Sequence, residues 1–472
     1  MDDLLDLGAL EQSAALARRE VSAEALMRAT LARIEARNPG VNAIVSLADP
    51  ETLLAQARHA DTEPRKGWMH GLPMAVKDLA NVAGLPTSMG STILAGQVAR
   101  RDDLMVARMR AAGALFIGKT NTPEFGLGSH TFNPVHGPTG NAWDPTRSAG
   151  GSSGGAAVAL ACRMTAIADG SDMMGSLRNP AGWNNVYGMR PSWGRVPDEA
   201  EGDTFLHPLA TNGPMARNPR DLAALLEVQA GPMAERPFTL PQESFLDRIE
   251  ADLRGRRVAW LGDWGGAYPM ETGVLDTCTA ALRVFDTLGV TVEAINAPFD
   301  AGALRQSWLH LRAFANADRL GALYGNPEWR RQLKATAIWE IETGQSLTLA
   351  EVKAASLIRS QWYAAAARLF GDFDALILPS AQVWPFDLLL EYPTEIAGRP
   401  MDTYHRWMEV VIPASLIGLP ALCVPAGFGA SGLPMGLQLI GRHGDDLGLL
   451  QLAQGWHEAA EWVQRQPAQT FR

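Results

Sequence analysis

Leu104-Met-Val-Ala-Arg-Met-Arg-Ala-Ala-Gly-Ala-Leu-Phe-Ile-Gly-Lys-Thr-Asn121 decides the fold class. It reads as a helix, an Ala-Gly turn and a strand over Ala114 to Ile117, which is the grammar of α/β layers. Upstream, Gly71-Leu-Pro-Met-Ala-Val-Lys77-Asp78-Leu79 supplies another short apolar run of strand character. Further strands are expected over Arg256 to Leu261, Val290 to Ile295, Ala375 to Leu378, Pro420 to Pro425 and Met435 to Ile440. Helices are expected over Leu275 to Leu288 and from about 446. Residues 3–60 read as helical: Ala25, Leu26, Ala29, Leu31 and Ile34 recur at helical spacing. Ser22 marks a helix start and Asn38-Pro39-Gly40 a stop. The expected organisation is one α/β domain over 1–472, with a helical region at about 1–60, a chemical core at about 68–200 and a helical insertion at about 300–370.

Composition narrows the function classes. The 472 residues carry a formal net charge of −10, with 47% hydrophobic and 19% charged residues. A soluble globular chain is expected, and an acidic one with no basic run is a poor match for phosphate backbones. Cys162, Cys278 and Cys423 are far apart and form no C-x-x-C, which suits a reducing compartment. No H-E-x-x-H or tight His/Asp cluster points to a metal. The acidic start MDDLLDLGAL does not resemble a secretory signal. The uncharged stretch from Val410 to Gly441 is broken by Pro413, Pro420, Pro425 and Pro434, so it reads as strands and turns rather than a membrane span. A cytoplasmic location is expected.

Three segments carry chemistry. Lys77 is one of only five lysines and follows an apolar run, where its ammonium is costly to bury. Burial would depress its pKa toward a usable base; the plainer reading pairs it with Asp78 at a surface strand end. Ser148-Ala-Gly-Gly-Ser152-Ser153-Gly-Gly155 is a loop whose glycines bring serine hydroxyls close to a ligand, and it lacks the G-K-[ST] of a phosphate loop. Gly170-Ser171-Asp172-Met173-Met174-Gly175-Ser176-Leu177-Arg178-Asn-Pro180 presents a serine behind consecutive backbone amides, which can converge on an oxyanion. Its plainer reading is a turn braced by an Asp172–Arg178 pair.

Taken together, the segments resemble the amidase signature family, with its V-K-D stretch, G-G-S-S-G-G loop and G-S-D-x-G-G-S-[IL]-R-x-P segment. Ser152 and Ser176 stand 24 positions apart, as in the family. Arg33-Ile34-Glu35, Gly118-Lys119-Thr120-Asn121, Asn141-Ala-Trp-Asp144, Gly188-Met189-Arg190-Pro191 and Gly432-Leu-Pro-Met-Gly-Leu-Gln438 extend the likeness over nearly the whole chain. The resemblance implies a mixed central β-sheet flanked by helices on both faces. It implies a triad in which Lys77 takes a proton from Ser152, Ser152 takes one from Ser176, and Ser176 forms an acyl-enzyme that water releases. It also implies a cis bond at Gly151–Ser152, an oxyanion hole from the amides of Met173, Met174, Gly175 and Ser176, and supporting roles for Ser153, Ser171, Asp172 and Arg178. No metal or organic cofactor is implied.

One departure stands out: Met174 replaces the first of the family's two glycines. Its side chain restricts backbone angles and reshapes the pocket, or packs in the core. Met173, Met174, Trp183 and Phe125 are the expected pocket residues. The resemblance implies a small, aryl or cyclic amide, or a carbamate, as substrate together with water; neither nucleic acid nor a membrane is expected as a partner, and a homodimer stays open. The rival reading is a glutamine-dependent amidotransferase component that serves tRNA with a partner, and Met174 weighs against it.

Overall fold

The alternation of short apolar runs and helical stretches assembles into two main sheets and a two-stranded ribbon, Glu395–Ile396 with Arg399–Pro400, in the computed structural model, which describes residues 2–199, 203–206 and 209–468. The larger sheet has eight strands. Their order across it is Ile167–Asp172, Thr211–Ala216, Tyr187–Arg190, Ala421–Phe428, Pro434–Ile440, Ala375–Pro379, Arg257–Trp260 and Thr291–Ala294. The first six pair antiparallel, and the last three form a parallel run through Ala375–Pro379. The sheet is mixed and flanked by helices, as the resemblance implied. Its central strands, Ala421–Phe428 and Pro434–Ile440, are mostly apolar and buried on both faces because both faces are covered.

The smaller sheet carries the lysine. Leu115–Thr120 lies between Ile44–Val45, antiparallel, and Pro73–Lys77, parallel. The helix Leu104–Ala111 lies in the connection between the two parallel strands, as a parallel pairing requires. Lys77 is the last residue of its strand, and its backbone N–H donates to the Asp169 carboxylate at 3.0 Å. That bond ties the small sheet to the edge strand of the large one.

Two short buried helices set the serine loops. Gly154–Ala161 is buried along its whole length. It packs so closely that a Cβ on Gly155 would stand 2.3 Å from Asn121 N and 2.6 Å from Ala43 O. Arg178–Asn184 begins two residues after Ser176 and is likewise buried throughout.

Most expected elements appear within a few residues of their predicted ends. Ser22 caps its helix, accepting from the Ala25 amide at 3.0 Å. That helix runs through the expected stop at Pro39 and ends at Val41. Asn42 reverses the chain in a left-handed conformation, and the Asn38 side chain accepts from the amides of Ala43 and Ile44, so the turn closes three residues late. The expected helix over Leu275 to Leu288 is two, Val274–Ala281 and Arg283–Thr287. The segment at 303–370 is four helices: Ala301–Gly325, Pro327–Arg330, Ala335–Ser346 and Leu349–Leu369. Strands at Ile44–Val45, Ile167–Asp172, Tyr187–Arg190 and Thr211–Ala216 go beyond the expected set. The loop and helix signals expected from about 200 fall partly on 200–202 and 207–208, outside the described residues. Among the described residues no helix is long and apolar enough to cross a membrane.

Candidate active site

Lys77 ends its strand inside the protein, only 1% exposed. Its Nζ lies 2.7 Å from Ser152 Oγ, 2.9 Å from Ser153 Oγ and 3.1 Å from Ser171 Oγ. Asp78 instead accepts from the Ser88 amide and hydroxyl, so the surface pair of Lys77 with Asp78 does not form. Burial lowers the Lys77 pKa from 10.5 to about 7, against the opposing pull of Asp169 and Asp172. The lysine amine thus sits among three hydroxyls.

The loop that carries Ser152 is held from several sides. Gly151–Ser152 is a cis peptide. Ser129 donates to the Gly151 carbonyl and Thr131 to the Gly150 carbonyl, both at 2.8 Å, and Asn179 accepts from the Gly151 amide. His130, buried and depressed to about 4 by that burial, stands 2.7 Å from Ser148 Oγ. Ser129, Thr131 and Asn179 escape the sequence reading; a polar residue in a loop gives no sign that it will brace another loop.

Asp172 organises the turn before Ser176. It accepts from the amides of Gly175 at 2.9 Å and Leu177 at 3.1 Å, and from Arg178 at 3.0 Å through each of its oxygens. Arg190 also bonds to it. Burial would raise its pKa, but the charges of Arg178 and Arg190 hold the carboxyl well below the usual range. Arg178 continues to Gln438 Oε1 at 2.6 Å and Ser415 Oγ at 2.7 Å, which locks the turn against the central sheet.

This arrangement sharpens the expected set of amides. Of the four amides expected at the oxyanion, that of Gly175 donates to Asp172 at 2.9 Å. Among the described residues, the amides of Met173, Met174 and Ser176 donate to no protein acceptor. Gly175 has φ +78° and needs glycine, whereas Met174 does not have a positive φ and tolerates its side chain.

Ser176 opens onto a small cavity lined also by Gly126, Gly128, Ser129, Met173, Met174, Arg312, His405 and Met408. Gly126 connects it to Ser152: a Cβ there would lie 3.7 Å from Ser152 Oγ. The Ser153 amide donates to the Ser176 carbonyl at 3.1 Å. No hydrogen bond joins the hydroxyls of Ser152 and Ser176 among the described residues. Met174 both lines the cavity and packs in the core, so the two readings of its side chain are one position.

Two expected pocket residues lie elsewhere. Trp183 is fully buried, stacked on Trp407 with centroids 5.8 Å apart, and its indole donates to the Val383 carbonyl. Those partners hold its ring in the core, and it does not line the cavity. Phe125 packs into a separate apolar cluster with Leu127, Leu320, Leu333, Ala337 and Ile341. Arg312, His405 and Met408 take their place at the wall; they come from segments more than 130 positions away and carry no motif.

The chain also matches known proteins along its length. Residues 25–450 match the family described as Amidase. The chain is similar to an acylamidase of Rhodococcus erythropolis, 32% identical over 98% of both chains. It is also similar to a glutamyl-tRNA(Gln) amidotransferase subunit of Myxococcus xanthus, 33% identical over 98% of this chain and 99% of that one. A solved bacterial aryl acylamidase superposes with a TM-score of 0.90 at 28% identity over 97% of both chains.

Proposed function

The chain belongs to the amidase signature family and is a carbon–nitrogen hydrolase, and from that premise we propose that it hydrolyses a small, aryl or cyclic amide, or a carbamate, through Ser176, Ser152 and Lys77. The observation that carries this reading is the buried Lys77 amine, depressed to about 7 and held 2.7 Å from Ser152 Oγ, which itself lies beside Gly126 of the cavity that Ser176 lines.

Near neutral pH a substantial fraction of Lys77 is a neutral amine. It accepts the Ser152 proton as Ser152 accepts the Ser176 proton, and the freed Ser176 oxygen attacks the carbonyl carbon. Rotation of the Ser176 side chain brings its hydroxyl onto Ser152. The carbonyl electron pair moves to oxygen, where the amides of Met173, Met174 and Ser176 stabilise the charge. The intermediate collapses, the C–N bond breaks, and the leaving nitrogen takes the proton back through Ser152. Water then attacks the ester at Ser176 by the same relay and releases the acid. Ser153 and Ser171 keep the Lys77 amine aimed at Ser152, and Asp172 with Arg178 holds the amide turn. The scheme requires only the amide and water, and suits a cytoplasmic enzyme.

Similarity to the amidotransferase subunit supports a second reading, glutamine hydrolysis alongside a partner. A screen of anilides, aliphatic and cyclic amides, carbamates, esters and glutamine, in wild type and Ser176→Ala, separates the two. Turnover of one amide class that vanishes in the variant is the expected result. Glutamine-only turnover that needs an added partner would overturn the first reading.

A further inference from the structure

The wall of the Ser176 cavity carries a buried polar cluster that the proposed reaction does not use. Arg312, on the helix Ala301–Gly325, is 4% exposed. Its Nε donates to Glu340 Oε1 and its Nη2 to Tyr404 Oη, each at 2.6 Å. Tyr404 donates to the same Glu340 oxygen, and Asn316 donates to the other at 3.0 Å. These bonds fix the guanidinium plane. Its remaining nitrogen, Nη1, meets only the Met173 sulfur, at 3.2 Å, among the described residues. A thioether is a weak acceptor for a charged donor. Beside it, His405 Nε2 is buried without a hydrogen-bond partner, 3.8 Å from Glu340 Oε1, while Nδ1 lies 2.9 Å from Thr403 Oγ1. Burial, reinforced by the Arg312 charge, depresses His405 to about 3, so it is neutral at pH 7. A Thr403 hydroxyl that donates to Nδ1 leaves the proton on Nε2 and makes it a second donor.

Both Arg312 and His405 line the cavity that holds Ser176. Buried donors are ordinarily satisfied, and a poorly satisfied charged one at a cavity wall favours an incoming acceptor. Resting on the amidase reading, we propose that Arg312 Nη1, with His405 at its side, is a polar anchor that selects substrates bearing a second, neutral hydrogen-bond-accepting oxygen, such as the carbonyl of another amide. The acceptor is neutral because Glu340 already balances the Arg312 charge, and a carboxylate brought into the cavity would face that second anion. Met173 links the anchor to the amide turn before Ser176, so an oxygen seated on Arg312 also bears on the position of that turn. Arg312 is here a specificity-determining residue; it takes no part in the bond-making steps.

The test measures binding, which does not depend on turnover. Calorimetry on the Ser176→Ala protein compares N-phenyl alkanamides with analogues in which one acyl methylene is replaced by a carbonyl, moved one position at a time. One position should tighten Kd by about 10- to 100-fold, the range for a hydrogen bond to a charged group. The gain should fall to about twofold or less in Arg312→Met/Glu340→Gln, which removes both charges together, and should shrink in Arg312→Lys, which keeps the ion pair. A flat profile in the Ser176→Ala protein would overturn the anchor even if the variants at 312 do not fold. Tighter binding of a terminal carboxylate than of the best carbonyl would overturn the neutral-acceptor assignment. Wild-type turnover of the same anilides separately decides the amidase reading.

Discussion

Lys77 and Asp172 are both removed from water and stand on strands that pack together, with exposures of 1% and 0%. Burial costs an isolated charge heavily in either case. Asp172 meets two guanidinium groups and two backbone amides, and it stays ionised. Lys77 meets three hydroxyls; the neighbouring Asp169 carboxylate bonds to its backbone rather than its amine. Burial therefore wins at Lys77 and loses at Asp172. One region keeps a charge to hold a turn rigid. The other loses much of its hold on a charge, which in the proposed scheme makes Lys77 a base.

The contrast can be broken from either side. The largest expected effect is on chemistry at the hydroxyl both regions serve: Ser176→Ala should lower kcat by about 10⁴-fold or more, read from steady-state hydrolysis of the best amide. Next, Lys77→Met should lower kcat/KM at pH 7 by about 10³-fold, since it removes the proton acceptor while leaving an apolar group of similar length. The same variant tests burial. The folded amine titrates near 7 and the unfolded one near 10.5, so between those values the unfolded chain binds more protons. Wild-type stability should rise with pH across that window, and Lys77→Met should flatten the rise in urea titrations. Asp172→Asn should do the reverse of a benign change. It leaves Arg178 and Arg190 buried against a neutral group, with an expected cost of about 3–5 kcal/mol in the same titrations. Smallest is Met174→Gly, expected to change relative rates among bulky acyl groups by about threefold to tenfold, in line with a change in pocket shape rather than in charge.

Both regions are legible in the sequence, unlike much of what surrounds them. Lys77, Ser152 and Ser176 stand in short segments whose spacing is distinctive, and Asp172 with Arg178 lies within one of them. The sheet strands rich in apolar residues, such as Ala375–Pro379 and Pro434–Ile440, are also readable. Thr211–Ala216, with its sequence Thr-Asn-Gly-Pro-Met-Ala, is not; its pairing with Ile167–Asp172 overrides local turn signals. Trp183 misleads because nearness in sequence to Ser176 says nothing about which side of a helix faces the cavity. Arg312 and His405 are invisible, because only the tertiary fold brings a helix from 301–325 and the segment before Trp407 onto the serine turn. The bond from the Gly175 amide to Asp172 is equally invisible, because sequence cannot tell which donors a neighbouring carboxylate takes.

The central claim is that a neutral Lys77 activates Ser176 through Ser152. Its most direct test is the pH dependence of Ser176 labelling by a fluorophosphonate, followed by intact mass. The account predicts that the labelling rate rises with pH through an inflection near 7 and that Lys77→Met labels far more slowly with that inflection gone. A wild-type rate that is flat across the neutral range, or an inflection that survives in Lys77→Met, would contradict it.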